Sequence, residues 1–289
     1  MISFIIVNYK SANYLEDCLT SIFKIVSSTP YEIIIVNNSP EENLNKLKNE
    51  KQKIIIIESK NIGYSTGCNI GAKNSNGEYL FFLNPDTILL NDFFSDLFQY
   101  FKNLEYGAIG FKLLDRNKQF QISFGKFPSI VGEIKNKSIK NAFRKRNQKI
   151  ITKLESKYIN PSPVDWVSGA AFFIKKATFE MVGGFDERFF LYYEDADLCM
   201  RISKSGFPNY FFPPGNIIHF EAENIRTEFS YIYIHAKKSQ LLYYKLHNGI
   251  FQTILLRIYL SLKFGIKFLL SFKKTYLTLF LLAIGLKND

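Results

Sequence analysis

The chain has 289 residues, enough for one large or two small domains, and 47% of them are apolar, enough for a full core. Its three cysteines, Cys18, Cys68 and Cys199, are scattered without a CxxC pair, which argues against a zinc site or a disulfide framework and suits a reducing compartment. The net charge of +11 includes a basic run over residues 135–153; such runs serve nucleic acid, anionic lipid or phosphorylated substrates, and with no nucleic-acid module beside it nucleic acid is set aside.

Residues 1–7 lack a basic n-region and a cleavage site and read as a first strand rather than a signal peptide. The continuous apolar run is that of a strand buried on both faces. Asn13 offers an N-cap and Glu16 completes a capping-box spacing, so a helix is expected there, with Leu15, Cys18, Leu19, Ile22 and Phe23 on one face. Residues 33–36 and 54–57 read as the second and third strands, 65–74 as a helix and 79–83 as the fourth strand. This alternation predicts a parallel sheet with helices on both faces, in which ligands sit at the carboxyl ends of the strands. Those ends are polar: Val7-Asn8-Tyr9; Asn37-Asn38-Ser39-Pro40; the loop carrying Asn61, Gly63 and Asn69; and Asn84-Pro85-Asp86. Each alone is commonly a turn or a helix start.

Residues 107–114 and 119–125 suggest a hairpin-like pair. The basic run at about 130–155 is expected to be an insertion, either a flexible loop facing a ligand or membrane or a solvated helix face. Residues 164–176 are expected to hold another strand, where the small Gly169 and Ala170 would let backbone approach a ligand. Trp166, the only tryptophan, either stacks on a ligand or packs in the core. Glu194, Asp195 and Asp197 put three carboxylates into four residues where a helix should begin, a place favoured by the helix dipole and open N–H groups. Phe189-Phe190 and Tyr192-Tyr193 upstream read as a buried approach, and carboxylates at such a rim are common places for chemistry. His219 lies in an apolar strand, as a core residue or a ligand. From residue 231 the pattern is helical. Its longest uncharged run, 275–286, is too short to span a bilayer. Lys263, Lys267 and Lys274 would share one side of a continuous helix, opposite an apolar face. That suits an anionic membrane surface; packing on the catalytic domain or on a second copy of the chain is the alternative.

Residues 183–201 resemble the GGFDExFFxYxEDxDLxxR segment of inverting glycosyltransferases of family 2, in particular the rhamnosyltransferase-like members. The four strand ends match that family in order and spacing, so the resemblance covers roughly residues 1–225. It implies a GT-A fold, a Rossmann-like mixed sheet flanked by helices. The catalytic domain would span 1–230, with a C-terminal amphipathic helical extension over 231–289. Donor nucleotide binding would fall to Val7, Asn8, Tyr9, Asn37, Asn61, Gly63, Asn69 and Asn84. Asp86 and His219 would hold a divalent cation, Mn2+ or Mg2+, on the donor diphosphate. Trp166, Gly169, Ala170 and Arg201 would lie about the donor sugar and acceptor. Asp195 would be the general base, supported by Glu194 and Asp197, the latter ordering the loop or pairing with Arg201.

The implied reaction moves a sugar, first of all rhamnose from dTDP-rhamnose, from a nucleotide-diphosphate sugar to a hydroxyl of a cell-surface glycan or lipid-linked saccharide. The place would be the inner face of the cytoplasmic membrane. Two departures from the family stand out. Asn37 replaces the acid that meets the base, although an amide can both donate and accept there. Asn84 replaces the first acid of an Asp-x-Asp motif, leaving only a neutral oxygen. Both would also suit a degenerate, non-catalytic binding protein of the same fold. A nucleotidyltransferase would want a Gly-rich basic loop near the N-terminus, which Val7-Asn8-Tyr9-Lys10 is not.

Overall fold

A computed structural model describes residues 1–47, 54–220 and 229–286. Within the basic segment, the side chains of Lys135, Lys137, Lys140 and Arg144 lie outside the described set.

Four parallel strands, β1 (Ile2–Asn8), β2 (Tyr31–Asn37), β3 (Ile54–Glu58) and β4 (Tyr79–Leu83), form one half of the sheet in the order β3-β2-β1-β4. They are linked through α1 (Ala12–Ile25) and α2 (Tyr64–Lys73). The unalternating Ile and Val runs arise because both faces are covered. Phe4 and Ile6 enter one core cluster, Ile5 and Val7 the other. Register does the rest: Asn8 stands opposite Asn37, and Asn37 opposite Glu58, so the polar ends fall in one row at the sheet's edge.

Beyond β4 the sheet changes sense. β5 (Thr87–Leu89) lies at the far edge, and β6 (Ile109–Leu114), β11 (Ala171–Lys175) and β12 (Asn209–His219) complete the path β4-β11-β6-β12-β5. β11 is antiparallel to β4 and to β6, and β12 is parallel to β6 but antiparallel to β5. β7 (Phe120–Gln121) pairs with β6 as the hairpin-like reading expects, and β9 (Ser162–Val164) pairs with β12. β8 (Phe124–Gly125) and β10 (Trp166–Val167) make a separate two-stranded sheet.

Two local expectations need correction. α1 begins at Ala12 behind Ser11, so Asn13 lies inside the first turn and makes no capping box. Glu16 instead pairs with Lys46. In the tail, α8 (Phe229–His247), α9 (Gly249–Ser271) and α10 (Lys274–Ile284) are separate helices. Phe272, left-handed at φ 52°, breaks the last two apart, so Lys274 does not share a helix with Lys263 and Lys267.

The basic segment folds as α4 (Ile130–Arg144) and α5 (Gln148–Lys157), capped by the side chains of Ser129 and Asn147. Short α3 (Phe94–Phe101) and α6 (Lys176–Met181) cover the sheet, and α7 (Glu194–Lys204) carries the acidic cluster. The tail is docked: Tyr243, Tyr244, Leu256, Leu260 and Phe264 share a core cluster with Phe189 and Ala196 of the sheet domain. α9 and α10 run antiparallel, with Arg257 reaching the Ala283 carbonyl and Phe264 stacked on Tyr276. The outer face of α9 exposes Ile250, Ile254, Ile258, Leu262, Ile266 and Leu270, one every four residues. Among the described residues no helix is long and apolar enough to cross a membrane.

Gly71 brings α2 onto β1, where an added Cβ would overlap Ile5 Cγ2. Gly71→Ala should therefore destabilise by about 1–3 kcal/mol, despite alanine's helix advantage of roughly 1 kcal/mol. A lowered urea midpoint checks this; an unchanged or raised midpoint would mean that α2 stands off the sheet.

Candidate active site

At the edge of β1 and β2 the side chains bond mainly to one another. Asn8 Nδ2 donates to Asn37 Oδ1 at 2.9 Å and to Glu42 Oε2 at 2.8 Å. Asn37 Oδ1 also accepts from Ser39 N, while its Nδ2 donates to Glu58 Oε2 at 2.8 Å and the Glu42 carbonyl at 3.1 Å. All four positions of that amide are taken, so Asn37 in this arrangement offers nothing to a base edge, contrary to the sequence reading. Glu42 and Glu58, which no motif marked, are the acids beside it. Two carbonyl oxygens, Asn8 Oδ1 and Asn38 Oδ1, are buried with no hydrogen-bond partner among the described residues. Each such atom costs about 1–3 kcal/mol unless something completes it. Val7 is buried beside them and Tyr9 is half-buried.

The β12–β5 register sets His219 opposite Thr87, beside the Asn84-Pro85-Asp86 turn. His219 Nε2 lies 3.5 Å from Asp86 Oδ1 and 3.4 Å from Asn84 Nδ2. The Phe220 N–H donates to the Asp86 carbonyl, and the Asn84 N–H to the Ala170 carbonyl, both at 2.9 Å. A carboxylate and an imidazole converging beside an amide make a donor set that suits Mn2+ or Mg2+ when phosphate oxygens and water supply the remaining positions. No group of three or more His, Cys, Asp and Glu side chains placed to hold a metal occurs among the described residues.

The acidic helix is aimed by its approach. Tyr192 and Tyr193 are both left-handed, at φ 67° and 68°, a conformation that costs a non-glycine residue roughly 1–2 kcal/mol. They turn the chain so that α7 opens on Glu194. Asp195 Oδ2 accepts from the Gly169 N–H at 3.1 Å and Oδ1 from the Ala196 N–H at 2.7 Å. The Gly169 carbonyl takes the Tyr64 hydroxyl at 2.8 Å. Gly63, at φ 94°, has Phe190 packed so close that no side chain would fit, and the Tyr64 N–H donates to the Phe190 carbonyl. Asn61 caps this turn, its Oδ1 accepting from the Gly63 N–H.

The three carboxylates differ by environment. Glu194 is 5% exposed, and its Oε2 has no partner among the described residues. Burial first, then the charges of Asp195 and Asp197, pushes it well above the usual carboxylate range. Asp197, 1% exposed, accepts from Arg201 Nε and Nη2 at 2.9 and 2.7 Å on one oxygen and from His247 Nε2 at 2.7 Å on the other. A carboxylate only accepts, so Nε2 carries the proton there. Of the two readings of Arg201, the geometry favours the Asp197 pair; its Nη1 donates to the Val182 carbonyl at 2.6 Å.

Two other sequence-singled residues face protein. Asn69 donates to the Phe185 carbonyl and Glu187 Oε1 and accepts from the Phe185 N–H, which clamps the loop before α7 instead of facing the strand ends. Trp166 donates to the Lys126 carbonyl at 2.9 Å and packs beside Gly125. Conversely, sequence reasoning missed His247 and Glu133. The Glu133 carboxylate on α4 accepts from Tyr193, Tyr244 and Gln240, joining insertion, tail and acidic loop. Neither residue carried a motif or a period that could have marked it.

Residues 3–179 match the family model for glycosyl transferase family 2, a stretch holding the ends of β1 to β4 and the Asn84-Pro85-Asp86 turn. The chain belongs to glycosyltransferase family 2. This glycosyltransferase is 28% identical over 242 residues to rhamnosyltransferase WbbL of Escherichia coli (strain K12), covering 80% of this chain and 87% of that one. It is 35% identical over 88 residues to an N-acetylglucosaminyl-diphospho-decaprenol L-rhamnosyltransferase of Mycobacterium tuberculosis, covering 30% of this chain and 29% of that one. Its fold is GT-A-like. It resembles the crystal structure of GalNAc-T7 with UDP, GalNAc and Mn2+ at a TM-score of 0.56 and 14% identity, over 76% of this chain and 43% of that one.

Above the ordinary carboxylate value of 4.5, folded Glu194 keeps a proton that the unfolded chain releases, so rising pH erodes stability until the raised folded value is passed. Glu194→Gln cannot titrate. Relative to the native chain, the stability of this variant should climb steadily as pH rises above about 5, by up to about 1.4 kcal/mol per pH unit, read as a widening difference in melting temperature. A pH-independent difference between the two proteins would show Glu194 to be ionised in the fold.

Proposed function

We propose that this transferase moves a sugar, rhamnose from dTDP-rhamnose being the first donor to test, onto a hydroxyl of a glycan or lipid-linked saccharide with inversion at the anomeric carbon. The carrying observation is Asp195, held against Gly169 where β11 begins, next to the strand whose Ala170 carbonyl ties down Asn84. In a single in-line displacement the acceptor oxygen bonds to the anomeric carbon, the bond to the diphosphate breaks, and the acceptor proton passes to a base. Glu194 is buried and held protonated, and Asp197 is committed to Arg201 and His247, which leaves the base role to Asp195. The named rhamnosyltransferase relatives support the sugar.

Donor nucleotide binding falls to the edge of β1 and β2, where Asn8 and Asn38 present their unsatisfied oxygens beside Val7, Tyr9, Asn61 and Gly63. Asp86 and His219 would hold Mn2+ or Mg2+ there, supplying positive charge to the diphosphate leaving group. Gly169 and Ala170 line the approach of the donor sugar. The exposed apolar row of α9 lies in the surface of a membrane. Residues 249–286 hold five cations, Arg257, Lys263, Lys267, Lys273 and Lys274, and no carboxylate, which favours an anionic bilayer over a second copy of this basic chain. The transferase then works as a peripheral protein on the inner face of the cytoplasmic membrane.

Asp195→Asn should keep Mn2+-dependent nucleotide binding by calorimetry and lose about a hundred- to ten-thousand-fold in transfer rate. Asp86→Ala should lose the metal-dependent part of binding itself. Full turnover in Asp195→Asn would move the base elsewhere, and nucleotide binding without turnover in the native chain would favour a degenerate binding protein. Replacing Ile254, Ile258 and Leu262 by Gln should abolish co-sedimentation with phosphatidylglycerol vesicles. Retained co-sedimentation, or a change of oligomeric state instead, would sink the membrane assignment.

A further inference from the structure

A cavity of about 420 Å³ lies between the loop that leads into α7 and the tail helices. Four cations line it: Arg188 from the loop, Lys238 and Lys245 from α8, and Arg257 from α9. Among the described residues, no carboxylate lines it. Arg188 is paired with Asp186, and Arg257 is fixed by the Leu282 and Ala283 carbonyls that end α10. Among the described residues, the ion pairs join neither Lys238 nor Lys245 to a carboxylate. The His235 ring, 4.3 Å from that of Phe190, completes the wall. Burial, and then the charge of Lys238, holds this imidazole below its ordinary range.

Like charges gathered in a half-enclosed cleft repel one another and focus a positive field on whatever enters. That arrangement is satisfied by an anion of high charge density. Apart from Ser239, whose hydroxyl donates to the Leu191 carbonyl, the rest of the described lining is apolar, with Phe190, Leu241, Leu242 and Leu282. Arg257 also sits on the helix whose outer face is the exposed row Ile250, Ile254 and Ile258. The cavity thus joins a cationic seat to a hydrocarbon surface. Its floor is continuous with the chemistry: the Phe190 carbonyl accepts from the Tyr64 N–H at the Gly63 turn, and the same strand of chain runs five residues on to Asp195.

We propose that this cavity seats the phosphates of a lipid-borne acceptor, with Lys238 and Lys245 as the anion ligands and the lipid chain leaving along α9. The inference rests on the reading of the protein as a transferase acting on a lipid-linked saccharide. It assigns the tail a share of acceptor recognition, which charge on the outer surface alone would not give.

Farnesyl diphosphate serves as the probe, titrated by calorimetry in EDTA so that the proposed metal-dependent donor site cannot hold its phosphates. The native chain should bind it more tightly than inorganic pyrophosphate. Lys238→Gln with Lys245→Gln should weaken it about tenfold or more, since charged hydrogen bonds to the phosphates are lost. Lys245→Arg should retain binding, and nucleotide binding with Mn2+ should be the same in all three. Equal affinity of native chain and double variant for farnesyl diphosphate overturns the proposal. So does equal affinity of the native chain for pyrophosphate, which would reduce the cavity to a seat for free phosphate. A double variant that loses phosphatidylglycerol vesicles while the native chain ignores farnesyl diphosphate would assign the lysines to bulk lipid headgroups and also overturn it. Native farnesyl diphosphate binding without any nucleotide binding would leave the cavity standing and remove the transferase reading instead.

Discussion

The chain between Phe185 and Asp197 is held by its carbonyls. The Phe185 oxygen accepts from Asn69, that of Phe189 from Ser65, that of Phe190 from the Tyr64 N–H and that of Leu191 from Ser239. Three donors stand on α2 and one on α8. Phe185 and Phe189 are meanwhile buried in two different core clusters. This pinning is what allows two successive tyrosines to remain left-handed, since a strained backbone persists only where its surroundings over-determine it. With the turn fixed, α7 has one place to start, and Asp195 reaches Gly169 without a search through conformations.

The three acids of α7 show how position alone sorts identical chemistry. Glu194 points into the protein and is held neutral by the cost of stranding a charge there. Asp197 is as deeply buried, yet it is matched by Arg201 along its own helix and by His247 from the tail. A charge so enclosed is tolerable only with both oxygens answered. The basic partner four residues on stabilises the helix as well, since it sits towards the negative end of the dipole.

The four parallel strands were legible because each is a short apolar run whose cause is local to the run, burial on both faces. The convergence of Asp86 with His219 was legible only through a family resemblance, because the β12–β5 register that makes it spans more than a hundred residues. Asn37 and Asn69 show the limit from the other side. An amide at a strand end looks available in sequence, and nothing in the sequence says that a neighbour has already satisfied it. Glu133 and His247 were invisible for the same reason: their partners are set by how the tail and the insertion dock. The break at Phe272 escaped because neither glycine nor proline marks it, and the lysine spacing ran on through it as if the helix did.

His247 completes the contacts of the acidic helix, and it is made 50 residues after Asp197. During synthesis β1 to β4, the Gly63 turn and α7 are all made before α8. Domains fold as they emerge, so the nascent sheet domain meets Asp197 with only Arg201 to answer it. Its second oxygen, together with the Tyr193 hydroxyl that shares Glu133 with Gln240 and Tyr244, finds its lasting arrangement only when the tail folds back. Until that moment the nascent protein carries its acidic cluster unfinished, and the order of translation itself delays the completed site until the helices that the lipid would meet have been made.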